Sequence, residues 1–157
     1  MYKVITIDGE DYKLEFSVEA SLYHDCIEKI TSIMFDIDAG QSTNDMKKIL
    51  SGVSDIPYTA VACFYAGLLE HHGKEEGDGK VPNISVAKRL AVKLLKDENS
   101  DVSNWYDIFS MCVDQMGEDG FFDLVGLSDM ISGEEKKKKA PKVPQDHLKK
   151  TTRLGAK

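Results

Sequence analysis

His24-Asp25 and, much later in the chain, His71-His72 are the residues best suited to hold a metal ion, because imidazole and carboxylate together ligate the ions that hydrolyse phosphoesters. The HD-type arrangement needs a further His before its His-Asp pair, and none precedes His24. Histidines near helix ends, where the imidazole suits the negative pole, are the plainer reading. Gly73 to Lys80 has the look of a phosphate-binding loop, yet five residues rather than four separate Gly73 from Gly79. Val81 stands where Ser or Thr would hold magnesium, and Glu75, Glu76 and Asp78 would repel phosphate. Asp97 to Asp101 places oxygens at alternate positions as a calcium loop does. Its sixth position is Val102 instead of Gly and its twelfth is Ile108 instead of Glu, so neither the turn nor the bidentate ligand forms, and capping explains these residues better. Cys26, Cys63 and Cys112 are odd in number, widely spaced and set in apolar periodic segments, which marks core thiols rather than a disulfide frame or a zinc site. No nucleophile sits in a Gly-x-Ser-x-Gly or Cys-x-x-Cys setting. No catalytic, cofactor or metal site is expected, and a binding role is favoured.

Charge narrows the partners. From Glu134 onward there are nine Lys/Arg against three Asp/Glu, a net +6, which leaves eleven against twenty-four, or −13, for residues 1–133. An acidic body repels phosphate backbones, so nucleic acid is not an expected ligand. The most apolar segment, Tyr58 to Leu69, is bounded by Pro57 and by Glu70-His71-His72, well short of the roughly eighteen apolar residues of a membrane span. The opening MYKVITIDGEDYKLEF alternates polar and apolar residues and lacks the basic-then-apolar form of a secretory signal, so a cytoplasmic location is expected.

The elements that would position these residues follow from periodicity. Val4, Ile5 and Ile7 precede Asp8-Gly9, and Tyr12, Leu14 and Phe16 follow at period two, which predicts a β-hairpin with one apolar face. Ser17 is placed to cap a helix running from about Val18 to about Phe35, with Leu22, Cys26, Ile27, Ile30, Ile33, Met34 and Ile37 on its inner stripe. A break at 38–42 is followed by a short helix capped by Thr43 or Asn44, burying Met46, Ile49 and Leu50 and ending at Gly52. Asp55 and Pro57 begin a third helix with Val61, Phe64, Tyr65, Leu68 and Leu69 inside, closed by Gly73 and an exposed loop. Ser85 is expected to cap a fourth helix, and Ser100 or Asp101 a fifth that carries Trp105, Ile108, Cys112 and Met116. Gly117 and Gly120 bracket a break before Phe121 and Phe122. From Gly133 the pattern stops, and a Lys/Pro-rich tail over 134–157 is expected to be disordered. The fold class is α+β, predominantly α: an N-terminal β-hairpin packed on a bundle of about five or six helices, one domain over 1–133, with a disordered basic C-terminal tail.

Ile56-Pro57-Tyr58, Phe64-Tyr65-Ala66-Gly67-Leu68-Leu69-Glu70-His71-His72-Gly73, the hairpin leading into Ser17, Ser85-Val86-Ala87-Lys88 and Gly117-Glu118-Asp119-Gly120-Phe121-Phe122 together carry a resemblance over about residues 1–130. The chain resembles the tail assembly chaperones of long-tailed phages and prophages of Gram-positive bacteria. The resemblance implies a non-enzymatic chaperone that coats the tape-measure protein, helps recruit tail-tube subunits and leaves before the virion is complete. Its candidate partner contacts are Tyr65, Leu68, Leu69, Phe121 and Phe122, each of which also suits a core position. Self-association is left open. Such chaperones are often made in two lengths by a ribosomal frameshift, for which Gly133 to Lys139 is the expected region and codons 134 to 139 the expected slip site. The rival readings are a small helical bacterial adaptor and the HD-type hydrolase.

Overall fold

A computed structural model describes residues 1–39 and 46–128, giving the helical backbone alone over 33–39 and 46–54. Two strands, β1 (Lys3–Ile7) and β2 (Glu10–Leu14), form the expected antiparallel hairpin, with Ile7 opposite Glu10 and Lys3 opposite Leu14. Asp8 and Gly9 take φ of 52° and 78°, the left-handed pair that a two-residue turn between right-twisted strands requires. Tyr12, Leu14 and Phe16 are buried as the alternation predicts, together with Ile5 and Ile7. Val4 falls on the other face and is 48% exposed, because period two cannot place three of Val4, Ile5 and Ile7 inward.

The helices are α1 (Val18–Ser21), α2 (His24–Ala39), α3 (Met46–His72), α4 (Ile84–Lys96), α5 (Trp105–Glu118) and α6 (Phe121–Leu124). The compact body is Met1–Phe121, and residues from Phe122 belong to a second unit, in which the Leu127 N–H closes a turn on the Phe122 carbonyl at 2.8 Å. The expected boundary at 133/134, the tail with its Lys run, the break at 40–42 and the caps Thr43 and Asn44 lie outside the described residues. So do the side chains of Ile33, Met34, Ile37, Met46, Ile49 and Leu50.

Several expected boundaries are corrected. The single helix from Val18 is two, α1 and α2, separated at Leu22-Tyr23, and Leu22 consequently stands 73% exposed instead of on an inner stripe. Ser17 is at the N-cap position of α1 but makes no capping bond; its hydroxyl donates to Glu70. The short helix and the third helix are one, since α3 runs through both Gly52 and Pro57. Pro57 removes one intrahelical N–H, a cost that burial on all sides of the following turns outweighs. Asn83 rather than Ser85 caps α4, accepting the Val86 N–H at 3.1 Å. Asn104 rather than Ser100 or Asp101 caps α5, accepting the Asp107 N–H at 2.9 Å. Gly117 lies inside α5, and the chain turns at Gly120 alone, where φ is 70°.

The core is organised around α3, which packs against β2, α1, α2, α4 and α5. Thr59 to Phe64, Ala66, Leu68 and His72 of α3 are all buried, so the turns from Thr59 onward are largely enclosed, with Tyr65 and Leu69 half-buried. It meets Leu14 and Phe16 from the hairpin, and the rings of Phe16 and Phe121 sit edge to face at 5.5 Å. Cys26, Cys63 and Cys112 are free and fully buried, with Cys26 and Cys63 sulfurs 3.8 Å apart. The Cys26 contact and burial push the Cys63 thiol up, and burial pushes up that of Cys112; both are held as core thiols, not nucleophiles. Among the described residues no helix is long and apolar enough to cross a membrane.

Candidate binding surfaces

The end of α3 carries the Glu70-His71-His72 run, and there the fold collects its polar side chains. His72 is buried; its Nε2 accepts the Lys13 backbone N–H at 2.9 Å and its Nδ1 donates to Asp78 at 3.1 Å. That geometry fixes the Nδ1–H tautomer and ties β2 to the loop after α3. The loop folds back: the Asp78 and Val81 N–H groups donate to the His71 and His72 carbonyls at 3.0 and 2.8 Å, satisfying the free end of the helix. Gly77 is needed for this approach, because a Cβ would lie 2.4 Å from the His72 nitrogen. Although its charged residues are exposed as expected, the loop caps α3 and ends on the fully buried Val81.

His71 Nε2 lies 2.7 Å from Glu15, whose other oxygen takes the Met1 ammonium at 3.1 Å. The same ammonium is 3.4 Å from Asp119, a carboxylate only 3% exposed. Asp119 also accepts the Phe16 N–H at 2.8 Å and the Gln115 amide at 3.0 Å, and Gln115 in turn donates to the Met1 carbonyl at 2.7 Å. A buried carboxylate needs such complete pairing. The His71 hydrogen bond, with help from the Met1 ammonium, holds the Glu15 carboxyl below its ordinary value. Hydrogen bonding to Glu15, opposed by a smaller desolvation, raises the Met1 amine above its own. Among the described residues no Ser, Thr or Cys side chain hydrogen-bonds either histidine. His24, Asp25 and Glu28 are the group whose spacing suits a cation; all three are exposed on the first turns of α2, and His71 and His72 are not among them.

Exposed apolar side chains occur on α1, on the turn after it and on α3. Tyr23 and Tyr65 stand edge to face at 5.2 Å, both half-buried; desolvation pushes the Tyr23 hydroxyl up to about 12 and raises that of Tyr65. Leu22, beside Tyr23, is 73% exposed, and Tyr58, two turns before Tyr65 on the same face of α3, is 69% exposed. Val18, one turn before Leu22, is 58% exposed. Leu69 is half-buried one turn beyond Tyr65. The residues singled out from sequence therefore divide. Tyr65 and Leu69 reach the surface, Leu68 and Phe121 are wholly in the core of the body, and Phe122 is half-buried in the second unit. Leu22, Tyr58 and Val18 were not marked by the sequence, since the turn at Leu22-Tyr23 that exposes the first is invisible to a helical period that continues through it. Comparison with known proteins adds no relative: no protein family, curated protein or solved structure matches the chain.

Proposed function

We propose that the chain is a non-enzymatic phage tail assembly chaperone that binds the tape-measure protein in the host cytoplasm and helps recruit tail-tube subunits. The observation that carries this reading is the exposure of Leu22, Tyr58 and Val18, together with the half-buried Tyr23–Tyr65 pair, on a chain whose residues 1–133 carry −13. Large apolar side chains left exposed on elements that pack together, as α1 and α3 do, offer anchoring points to a protein partner. Tyr and Leu anchors set on packed helices suit the apolar stripe of a long helical client, whose own association they would block, while the acidic remainder keeps the complex dispersed.

The test is co-expression with the tape-measure protein encoded beside this gene. The chaperone reading expects the tape-measure protein to stay soluble and to co-purify with several copies of this chain. Equal aggregation with and without it ends the proposal.

A further inference from the structure

The hairpin has two outer edges, and the fold closes one of them. A two-residue turn makes Ile7 and Glu10 a hydrogen-bonded pair, so in this register Ile5–Tyr12 and Lys3–Leu14 are hydrogen-bonded pairs while Val4–Lys13 and Thr6–Asp11 are not. The backbone groups of Val4 and Thr6 therefore point away from β2, as those of Lys13 and Glu15 point away from β1. On the β2 side the Lys13 N–H donates to His72 Nε2 and the Glu15 N–H to the Gly67 carbonyl, both at 2.9 Å. On the β1 side no described residue hydrogen-bonds the Val4 or Thr6 backbone.

This open edge forms one wall of a cleft of 990 Å³. Lys3, Val4, Ile5 and Thr6 line it consecutively, which is the signature of an edge, since a sheet face contributes only alternate residues. The facing wall is one stripe of α5, Asp107, Ser110, Met111 and Asp114. Leu94 and Val102 supply the apolar lining between them.

We propose that this cleft binds an extended, cationic segment of a partner polypeptide by adding it to β1 as a third strand. The N–H and C=O groups at Val4 and Thr6, unpaired among the described residues, are what such a strand bonds to, and a segment matching the five residues of β1 spans about 17 Å. Charge selects the occupant. The lining holds five Asp and three Lys, and Lys93 is already paired with Asp8 at 2.9 Å, which leaves four carboxylates against two ammonium groups. The acidic body of a second copy, −13 over residues 1–133, is repelled by the same cleft, which favours a basic segment of a different protein; this chain's own residues 134–157, at +6, also have the right charge and are the occupant that the peptide-free measurement below separates. This inference stands apart from the chaperone reading, because it uses neither Tyr58 nor Leu22.

Amide hydrogen exchange on the full chain tests it, with a nine-residue peptide alternating Lys with Val and Thr as the probe and an equal peptide carrying Glu for Lys as the control. The Lys peptide should slow exchange at Val4 and Thr6 at least tenfold, less so at high salt, and the Glu peptide should not. Val4→Pro removes an outward N–H without touching the hairpin ladder, and should weaken binding about tenfold. Asp114→Lys, on an exposed site of α5, should weaken it comparably with the fold intact. Unchanged exchange at both amides in millimolar peptide, equal binding of the Glu peptide, or wild-type affinity in both variants overturns the proposal. Protection of the two amides without any peptide overturns it as well, in favour of self-pairing if it grows with protein concentration and of an intramolecular occupant if it does not.

Discussion

Replacing Gly67 by alanine tests how β2 is seated on α3. A Cβ at Gly67 would lie 2.4 Å from Leu14 Cδ1, 2.9 Å from Phe16 Cζ and 3.0 Å from Leu14 Cγ. Carbon atoms in good contact sit about 3.5–4.0 Å apart, so the neighbours must retreat by up to an ångström or more. Leu14 and Phe16 are 0% and 1% exposed and have nowhere to go without repacking. Overpacking of this kind costs about 1–3 kcal/mol, and pushing β2 away also stretches the Glu15–Gly67 hydrogen bond, worth about 1 kcal/mol. Against this, alanine gains about 1 kcal/mol over glycine in a helix interior. The net expectation is a loss of about 1–3 kcal/mol, which for a chain of this length lowers Tm by roughly 2–12 °C. Gly117, inside α5, supplies the control, since a Cβ there meets nothing within 4 Å. Gly117→Ala should therefore raise stability by up to about 1 kcal/mol. Urea unfolding followed by circular dichroism reads both, with unchanged m values certifying that stability alone has moved. Should Gly67→Ala stabilise the protein as Gly117→Ala does, β2 does not lie against α3 at this position and the packing argument fails.

Leu14→Asp places an unpaired charge in the core and should unfold or aggregate the protein, whereas Lys13→Asp, on the exposed face, should leave Tm within a few degrees; similar behaviour of the two would refute the register. Leu22→Ser and Tyr58→Ser should each change stability by less than about 0.5 kcal/mol yet abolish capture of the tape-measure protein, while Leu68→Ala should cost about 2–5 kcal/mol. Client binding that survives both surface changes removes that surface from the proposal. Stability should also depend on pH through the Met1–Glu15 pair. The lowered Glu15 contributes fully above its ordinary value of 4.5 and loses that contribution as pH falls through its folded value; the raised Met1 amine contributes fully below 8.0 and loses its share as pH rises through its folded value. Acetylating the amine should flatten the alkaline limb, and an unchanged alkaline limb would show that the pairing does not form in solution.

The hairpin was legible because its signal is local and redundant: Asp8-Gly9 sets the turn and period two sets the face. The middle of the chain was not. Gly52 and Pro57 are ordinary helix punctuation, and only the enclosure of the turns from Thr59 onward explains why α3 continues through them. Capping failed for a subtler reason, since Ser, Asn and Asp are near-equivalent caps and several stood within reach of each helix start. At α5 a better signal was present. Asn104 and Asp107 have capping-box spacing, and Asp107 takes both the Ser103 N–H at 3.0 Å and its hydroxyl at 2.9 Å. The polar node joins Met1, Glu15, His71, Gln115 and Asp119 from distant parts of the chain, and no spacing rule reaches that far.

The asymmetry of the hairpin bears on how the protein divides its work. A two-stranded sheet is marginal alone, and here β2 is held on one helix by a buried histidine and a main-chain carbonyl, which leaves β1 as the strand whose pairing capacity is unspent. Natural edges exposed in this way are usually blunted by a bulge, a proline or a covering loop; β1 is unbulged in register and contains no proline, and its shortness and Lys3 are its main protections. Val18, Leu22 and Tyr58 belong to α1, the turn after it and α3, and the cleft to β1, α4, α5 and their connecting turns, with no residue common to both. Both sets of elements rest on α3 or on strands seated against it, so a core change such as Gly67→Ala should weaken the two together. A surface change should separate them: Leu22→Ser leaves the cleft peptide bound, and Asp114→Lys leaves the helical client bound. On the proposed chaperone reading, holding one protein while meeting another calls for two such independent surfaces, and loss of both activities from either single surface change would show that they are one site.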